Sequence, residues 1–239
     1  VLFSGAQVGA DTWEWDGTAW TSRAFGVPPL RWGHAMAYDS ARGVTVMFGG
    51  HGLQTELNDT WEWDGEAWSQ RSTTGPLPRA APAMAYDSVR GVTVLHGGYD
   101  TSPTYSFSST WEWDGASWKL MPSEGFGGRS FHAMVFDEAL GVGVVFGGSL
   151  TVDVQFVPHA DTWAWNGDQW TLRDAKPPGR YDAAMAFDAP RGLAVLFGGE
   201  GNERYRDTWE WNGAVWVRRA TTGPYSRSRH AMVYDSVRL

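Results

Sequence analysis

Five arginines recur at nearly even spacing: Arg31, Arg79, Arg129, Arg180 and Arg227, separated by 48, 50, 51 and 47 residues. Guanidinium groups converging on one point suit carboxylate, sulfate or phosphate, because each offers a planar fork of N–H donors. The favoured reading of such a ring is scaffold, each arginine bonding a neighbouring carbonyl or a glutamate such as Glu14, Glu62, Glu112 or Glu210, because structural networks also gather charges. Just after the arginines the units diverge, with Trp32 and Gly33, Ala80 and Ala81, Ser130 and Phe131, Tyr181 and Asp182, and Ser228 and Arg229. Aromatic faces beside opposed charges are equipped to stack a sugar or to grip a peptide side chain.

Other residues argue against chemistry rather than for it. Cysteine is absent, which removes disulfides, thiolate nucleophiles and Cys-bound zinc. His34, His132 and His230 share one position, but Pro82 and Ala183 replace it in the other units, and no H-E-x-x-H pair occurs. A three-histidine metal site is the alternative to simple hydrogen bonding there. Asp11, Asp59, Asp161 and Asp207, with Ser109 in the remaining unit, precede a Trp-rich segment and read as loop clasps accepting backbone N–H bonds. A glycosidase needs two carboxylates about 5–10 Å apart, and near the axis the sequence offers mainly Asp182. Glu200 is a further loop carboxylate, in the loop 200–206, which is charged and expected to be solvated. No cofactor is called for, and the expectation is a protein that is not an enzyme.

The elements that must position these residues are strands. Each unit reads Arg, then an alternating segment such as HAMAYD (34–39), a turn, an apolar run ending in Gly-Gly, a variable loop, then TWEWDG and a further Trp. Period-two alternation places Trp61 and Trp63 on one face, and Asp64-Gly65 supplies the positive φ of a tight hairpin. The methionines Met36, Met84, Met134, Met185 and Met232 fall on the innermost strand as adaptable filler. Four antiparallel strands repeated five times predict the blades of a β-propeller. The blades run approximately over 31–78, 79–128, 129–179 and 180–226, with a fifth made from 227–239 plus 1–30 in one domain. Residues 227–239 stop after an inner strand, and residues 1–20 begin at the next apolar run. The C-terminal segment is therefore expected to close the ring as the inner strand against the N-terminal strands.

The Gly-Gly pairs (Gly49–Gly50, Gly97–Gly98, Gly147–Gly148, Gly198–Gly199) and the paired downstream tryptophans resemble the Kelch repeat over essentially the whole chain. The WEWDG form is similar to that of bacterial Kelch-type proteins, many of them exported, which implies an extracellular or cell-surface location. Family members usually have six or seven blades, where five units are visible here. The resemblance implies an interaction domain, and in some such propellers arginines on this face engage acidic peptides. Copper oxidases with a similar propeller depend on a Cys–Tyr crosslink, which a chain without cysteine cannot make.

Divergent loops are the better place to look for a ligand, because one asymmetric ligand cannot need five identical contacts. The loop 99–109 carries Tyr105 and Phe107, and in 149–160 Leu150, Val152, Val154 and Phe156 alternate with polar residues, which predicts an extra strand or hairpin. Net charge is −8 and no basic run occurs, so nucleic acid is not an expected partner. No stretch reaches 18 consecutive apolar residues, so membrane insertion is not expected either. The chain does not begin with Met and has no signal-peptide pattern, as in a mature or excised segment. The leading expectation is a non-catalytic binding or scaffold domain holding a protein or polymer at the loop face and channel mouth. A lectin-like carbohydrate-binding module is the alternative, and a glycoside-processing enzyme the third reading. The candidate contacts are the five arginines with Trp32, Phe131, Tyr181, Asp182, Arg229, Tyr105 and Phe156.

Overall fold

The computed structural model describes residues 1–5, 8–101, 104–152, 155–173 and 176–235, and all the elements within them are strands. Four sheets have four antiparallel strands each. They are β4 (Ala35–Asp39), β5 (Val44–Phe48), β6 (Thr60–Trp63) and β7 (Trp68–Ser72); then β8 (Ala83–Asp87), β9 (Val92–His96), β12 (Thr110–Trp113) and β13 (Trp118–Met121). The third comprises β14 (Ala133–Asp137), β15 (Val142–Phe146), β18 (Thr162–Trp165) and β19 (Trp170–Leu172). The fourth comprises β20 (Ala184–Asp188), β21 (Leu193–Phe197), β22 (Thr208–Trp211) and β23 (Trp216–Ala220). The N-terminal sheet has β1 (Leu2–Gly5), β2 (Val8–Trp15) and β3 (Trp20–Phe25). Two extra hairpins, β10 (Tyr99–Thr101) with β11 (Thr104–Ser106) and β16 (Ser149–Val152) with β17 (Gln155–Pro158), rise from loops after Gly-Gly pairs. The alternation around Leu150 and Phe156 is thus a hairpin. The five sheets are the blades of a β-propeller.

Blade meets blade through tryptophan. Trp63, Trp113, Trp165 and Trp211 are fully buried. The indole Nε1 of Trp68, Trp118, Trp170 and Trp216 each donates to a threonine of the preceding blade, Thr12, Thr60, Thr110 and Thr162, at 2.8 Å in all four cases. Trp63, Trp113 and Trp165 donate likewise to Glu14, Glu62 and Glu112 of the preceding blade. Every buried indole N–H so paired avoids the penalty of an unsatisfied polar group, while its ring fills the apolar layer between sheets. Met84, Met134 and Met185 pack in those layers as expected.

The expected closing strand differs. Among the described residues, 231–234 have no ladder partner, although 231–235 line a cavity of about 570 Å³ together with Val1, Leu2, Trp15 and Trp20. The equivalent inner strands pair residue for residue with the next strand, as Ala35 does with Phe48 and Met36 with Met47. Trp20 is 52% exposed and donates to no threonine, and Thr208, its counterpart on the preceding blade, is only half-buried where the other four threonines are fully buried. The physical reason lies in connectivity. Inner strands elsewhere are joined to their partners by a turn of four residues, whereas 231–235 must meet β1 across the length of the chain, with the entropy of the longest loop opposing it.

Candidate functional site

The arginines are the first correction. Arg31, Arg79, Arg129 and Arg180 are each 1% exposed and cannot present a surface to an anion. Arg31 Nη1 and Nη2 donate to Asp59 at 2.6 and 2.9 Å, and Nη1 also donates to the Gly49 carbonyl. Arg129 holds Asp161 and Gly147 in the same way, and Arg180 holds Asp207 and Gly198. Arg79 meets Ser109 instead, with the Gly97 carbonyl at 3.0 Å and the Phe107 ring 3.9 Å from its guanidinium carbon. The partners thus belong to the arginine's own unit, and Asp59, Asp161 and Asp207 accept chiefly from guanidinium and from a Trp indole. Arg227 is exposed, its Nε donating to the Tyr225 carbonyl, while Asp11 accepts from Trp13.

The glutamates serve elsewhere. Glu62 receives Arg42 and Arg71, and Glu210 receives Arg191 and Arg219, at the hairpin end of the blades. Asp39 and Asp87 cap turns there, accepting two backbone N–H bonds each. The three shared histidines do not converge. His34 packs on Phe3, His132 on His96 and His230 on Phe197, each against the preceding blade, and among the described residues no cluster suited to a metal ion occurs. Burial holds His34 down to about 4 and His132 to about 3, so both are neutral at pH 7.

What the structure does bring together is the set of residues that follow the arginines. Gly33, Ala81, Phe131, Asp182 and Arg229 all have left-handed backbone, with φ of 63, 50, 58, 54 and 58°. Each of the last four donates its N–H to the carbonyl of the equivalent residue in the preceding blade, at 2.7 to 3.1 Å. The resulting backbone girdle runs from blade to blade at one mouth of the propeller. Glycine occupies such backbone without strain, and a side chain there costs of order 1–2 kcal/mol. Four side chains are nonetheless held in it. Strain of this kind collects at ligand clamps and switch regions.

Around the girdle stand the divergent loops. Phe131 contacts Tyr99, Phe156 and Tyr181, with ring centroids 5.4, 5.8 and 6.5 Å away, and Phe156 and Tyr181 lie 5.4 Å apart. Phe156 belongs to β17 and remains exposed, so its hairpin leans over the rim. Beside this ridge, Arg229 Nε donates to Asp182 Oδ2 at 3.0 Å. The Asp182 side chain is 8% exposed and its pKa is raised, burial outweighing the guanidinium. Arg229 remains open to solvent. Glu200 accepts from Ser228 Oγ and lies 3.6 Å from Arg204, but the 200–206 loop is not all solvated, since Tyr205 is buried under Arg180. Tyr105 was also a candidate, and its side chain lies outside the described residues. Phe107 is buried against Arg79 and is no surface contact.

Trp32 stands apart from that ridge. It meets the imidazole of His51 at 5.1 Å between ring centroids, and His51 Nδ1 donates to Glu56 Oε1 at 3.0 Å. Neither His51 nor Glu56 stands out in the sequence, because the loop that joins them, 51–56, has no counterpart of its length and composition in three of the units. A histidine and a carboxylate five residues apart flanking Gly52 was the only signal available.

No protein-family model matches the chain, and no curated protein matches it. A solved structure described as "Structure of YjhT" matches with a TM-score of 0.74 at 13% identity, over 94% of this chain and 81% of that one. At that identity the likeness is one of fold.

Proposed function

We propose that the chain is a binding domain that uses the girdle mouth and the loops around it to hold a segment of another protein. The observation that carries this is the retention of Phe131, Asp182 and Arg229 on left-handed backbone, where glycine would be the unstrained choice. Their side chains are supported from outside: Phe131 by three aromatic rings, Asp182 and Arg229 by each other. The ridge suits an apolar side chain of the partner, and the exposed guanidinium edge of Arg229 suits a partner carboxylate or carbonyl. The reading is of a non-catalytic, Kelch-type module of bacterial origin acting outside the cell, where recurring clasps maintain the scaffold and divergent loops select the ligand.

The test is selection of displayed peptides on the purified protein, repeated with Phe131→Gly and Arg229→Gln. Glycine is at ease at φ 58°, so the first variant keeps the girdle while deleting the centre of the ridge. Peptides that enrich on the native protein are expected to lose at least tenfold in affinity to Phe131→Gly. Peptides that bind both variants as well as they bind the native protein place the partner elsewhere.

A further inference from the structure

The Arg31 blade carries a small cavity whose lining shares no residue with the aromatic ridge. Loop 51–56 turns back on itself, with Gly52 N–H donating to the Thr55 carbonyl and Leu57 N–H to the Gly50 carbonyl. That turn sets Glu56 beside His51. Trp32 and His51 in turn exchange both backbone bonds, N–H to carbonyl at 3.1 and 2.8 Å, so the indole and imidazole stand on a two-residue bridge. His51 is therefore held in three ways: by its backbone, by the Trp32 ring and by the Glu56 carboxylate.

Glu56 is 4% exposed, so the acceptor that orients the imidazole is itself part of the interior. With Nδ1–H committed to a carboxylate, neutral His51 keeps Nε2 as a lone-pair acceptor. Leu30, Arg31, Trp32, His51, Gly52 and Leu53 line a cavity of about 240 Å³. This is smaller than the roughly 300–1,000 Å³ of sites for drug-sized molecules, and it fits a single ring. Trp32 is 36% exposed and offers part of an indole face, and Leu53 at the loop tip supplies an exposed apolar edge.

We infer that Trp32, His51 and Glu56 form a subsite for one neutral hydroxylated ring, of the pyranoside class. A sugar ring has an apolar C–H face, which an indole covers, and hydroxyl donors at its edge, which an oriented imidazole acceptor receives. The charge of the site selects against an anion. The Arg31 guanidinium, the cation in the lining, already gives its donors to Asp59, Gly49 and Pro29, and the carboxylate of Glu56 lies behind the histidine. Equivalent positions in the other blades hold Ala80, Ser130, Tyr181 and Ser228, so the subsite is single where a lectin-like repeat would give several.

The experiment is saturation-transfer difference NMR with methyl β-D-glucopyranoside and methyl β-D-galactopyranoside, and with methyl β-D-glucuronide as the anionic probe. At least one neutral glycoside is expected to receive saturation, strongest on the C–H face that meets Trp32, with the glucuronide weaker. Trp32→Ala and His51→Phe should each lower that affinity at least tenfold. The phenylalanine keeps a ring against Trp32 without an acceptor, and thus separates recognition from packing. Arg229→Gln, at the girdle, should leave glycoside binding unchanged, so this result and the peptide result stand or fall separately. The inference is overturned by the absence of transfer to either neutral glycoside, by preference for the glucuronide, or by unchanged affinity in His51→Phe with a native melting curve.

Discussion

Replacing Asp59 with alanine tests whether the arginine ring is scaffold. The substitution removes two charge-assisted bonds, at 2.6 and 2.9 Å, from a guanidinium that is 1% exposed, and a third from the Trp61 indole. Arg31 keeps only the carbonyls of Gly49 and Pro29, leaving a buried charge without its counter-ion. Breaking a buried pair in this way costs about 3–5 kcal/mol. For a domain of this size each kcal/mol moves the melting temperature by about 2–4 °C, giving a fall of roughly 6–20 °C. The molecule contains its own control, because Ser109 fills the equivalent place and accepts from Arg79 at 3.0 Å. Asp59→Ser should therefore lie between the native protein and Asp59→Ala. Burial raises the pKa of Asp59, but the bonds from Arg31 prevail and the net shift is downward. The clasp thus stabilises fully above the ordinary aspartate value, and its contribution is lost as pH falls through and below it, so Asp59→Ala should flatten the acid limb of the stability profile. Calorimetric melting at pH 7 and at pH 3, below the ordinary aspartate value of 3.8, is the assay. A variant melting within about 1 °C of the native protein, or a serine variant no better than the alanine one, refutes the clasp.

Two further outcomes follow from the packing. His132 is 7% exposed and held near 3, below its unfolded value of 6.5, so its neutral form stabilises fully above pH 6.5 and that share is lost as pH falls toward 3, by up to about 1.4 kcal/mol per unit. His132→Ala, a residue found at this position in another unit, should flatten denaturant-measured stability between pH 6 and pH 4; an unchanged slope contradicts the burial. Trp20 and Trp170 occupy equivalent places, but only Trp170 is buried and bonded to a threonine. Trp170→Ala should cost about 3–5 kcal/mol and Trp20→Ala less than about 1 kcal/mol in chemical denaturation, and equal costs would mean that the last interface closes in solution.

Much of this molecule is local in origin and so was legible in the chain. Strand alternation, Gly-Gly pairs and Asp-Gly or Asn-Gly turns act over a few residues, and they determined the blades, the hairpins and the strand order within each sheet. The recurrence of Trp68, Trp118, Trp170 and Trp216 marked them as packing, which they are. Recurrence also marked the arginines as ambiguous, since a guanidinium has the same donors whether it meets a carboxylate of the protein or of a ligand. Only burial distinguishes those cases, and burial depends on how the loop after Gly-Gly folds back to bring Asp59 over Arg31. The left-handed girdle was equally hidden, because Gly33 announces positive φ whereas Ala81, Phe131, Asp182 and Arg229 do not. Their backbone is imposed by bonds between blades. His51 and Glu56 meet through one short loop, and their partnership with Trp32 arises from a bridge between segments 19 residues apart. The stretch 231–234, outside any ladder among the described residues, makes the same point from the other side: its sequence matches the inner strands, but matching residues make a strand only where the chain delivers them to a partner edge.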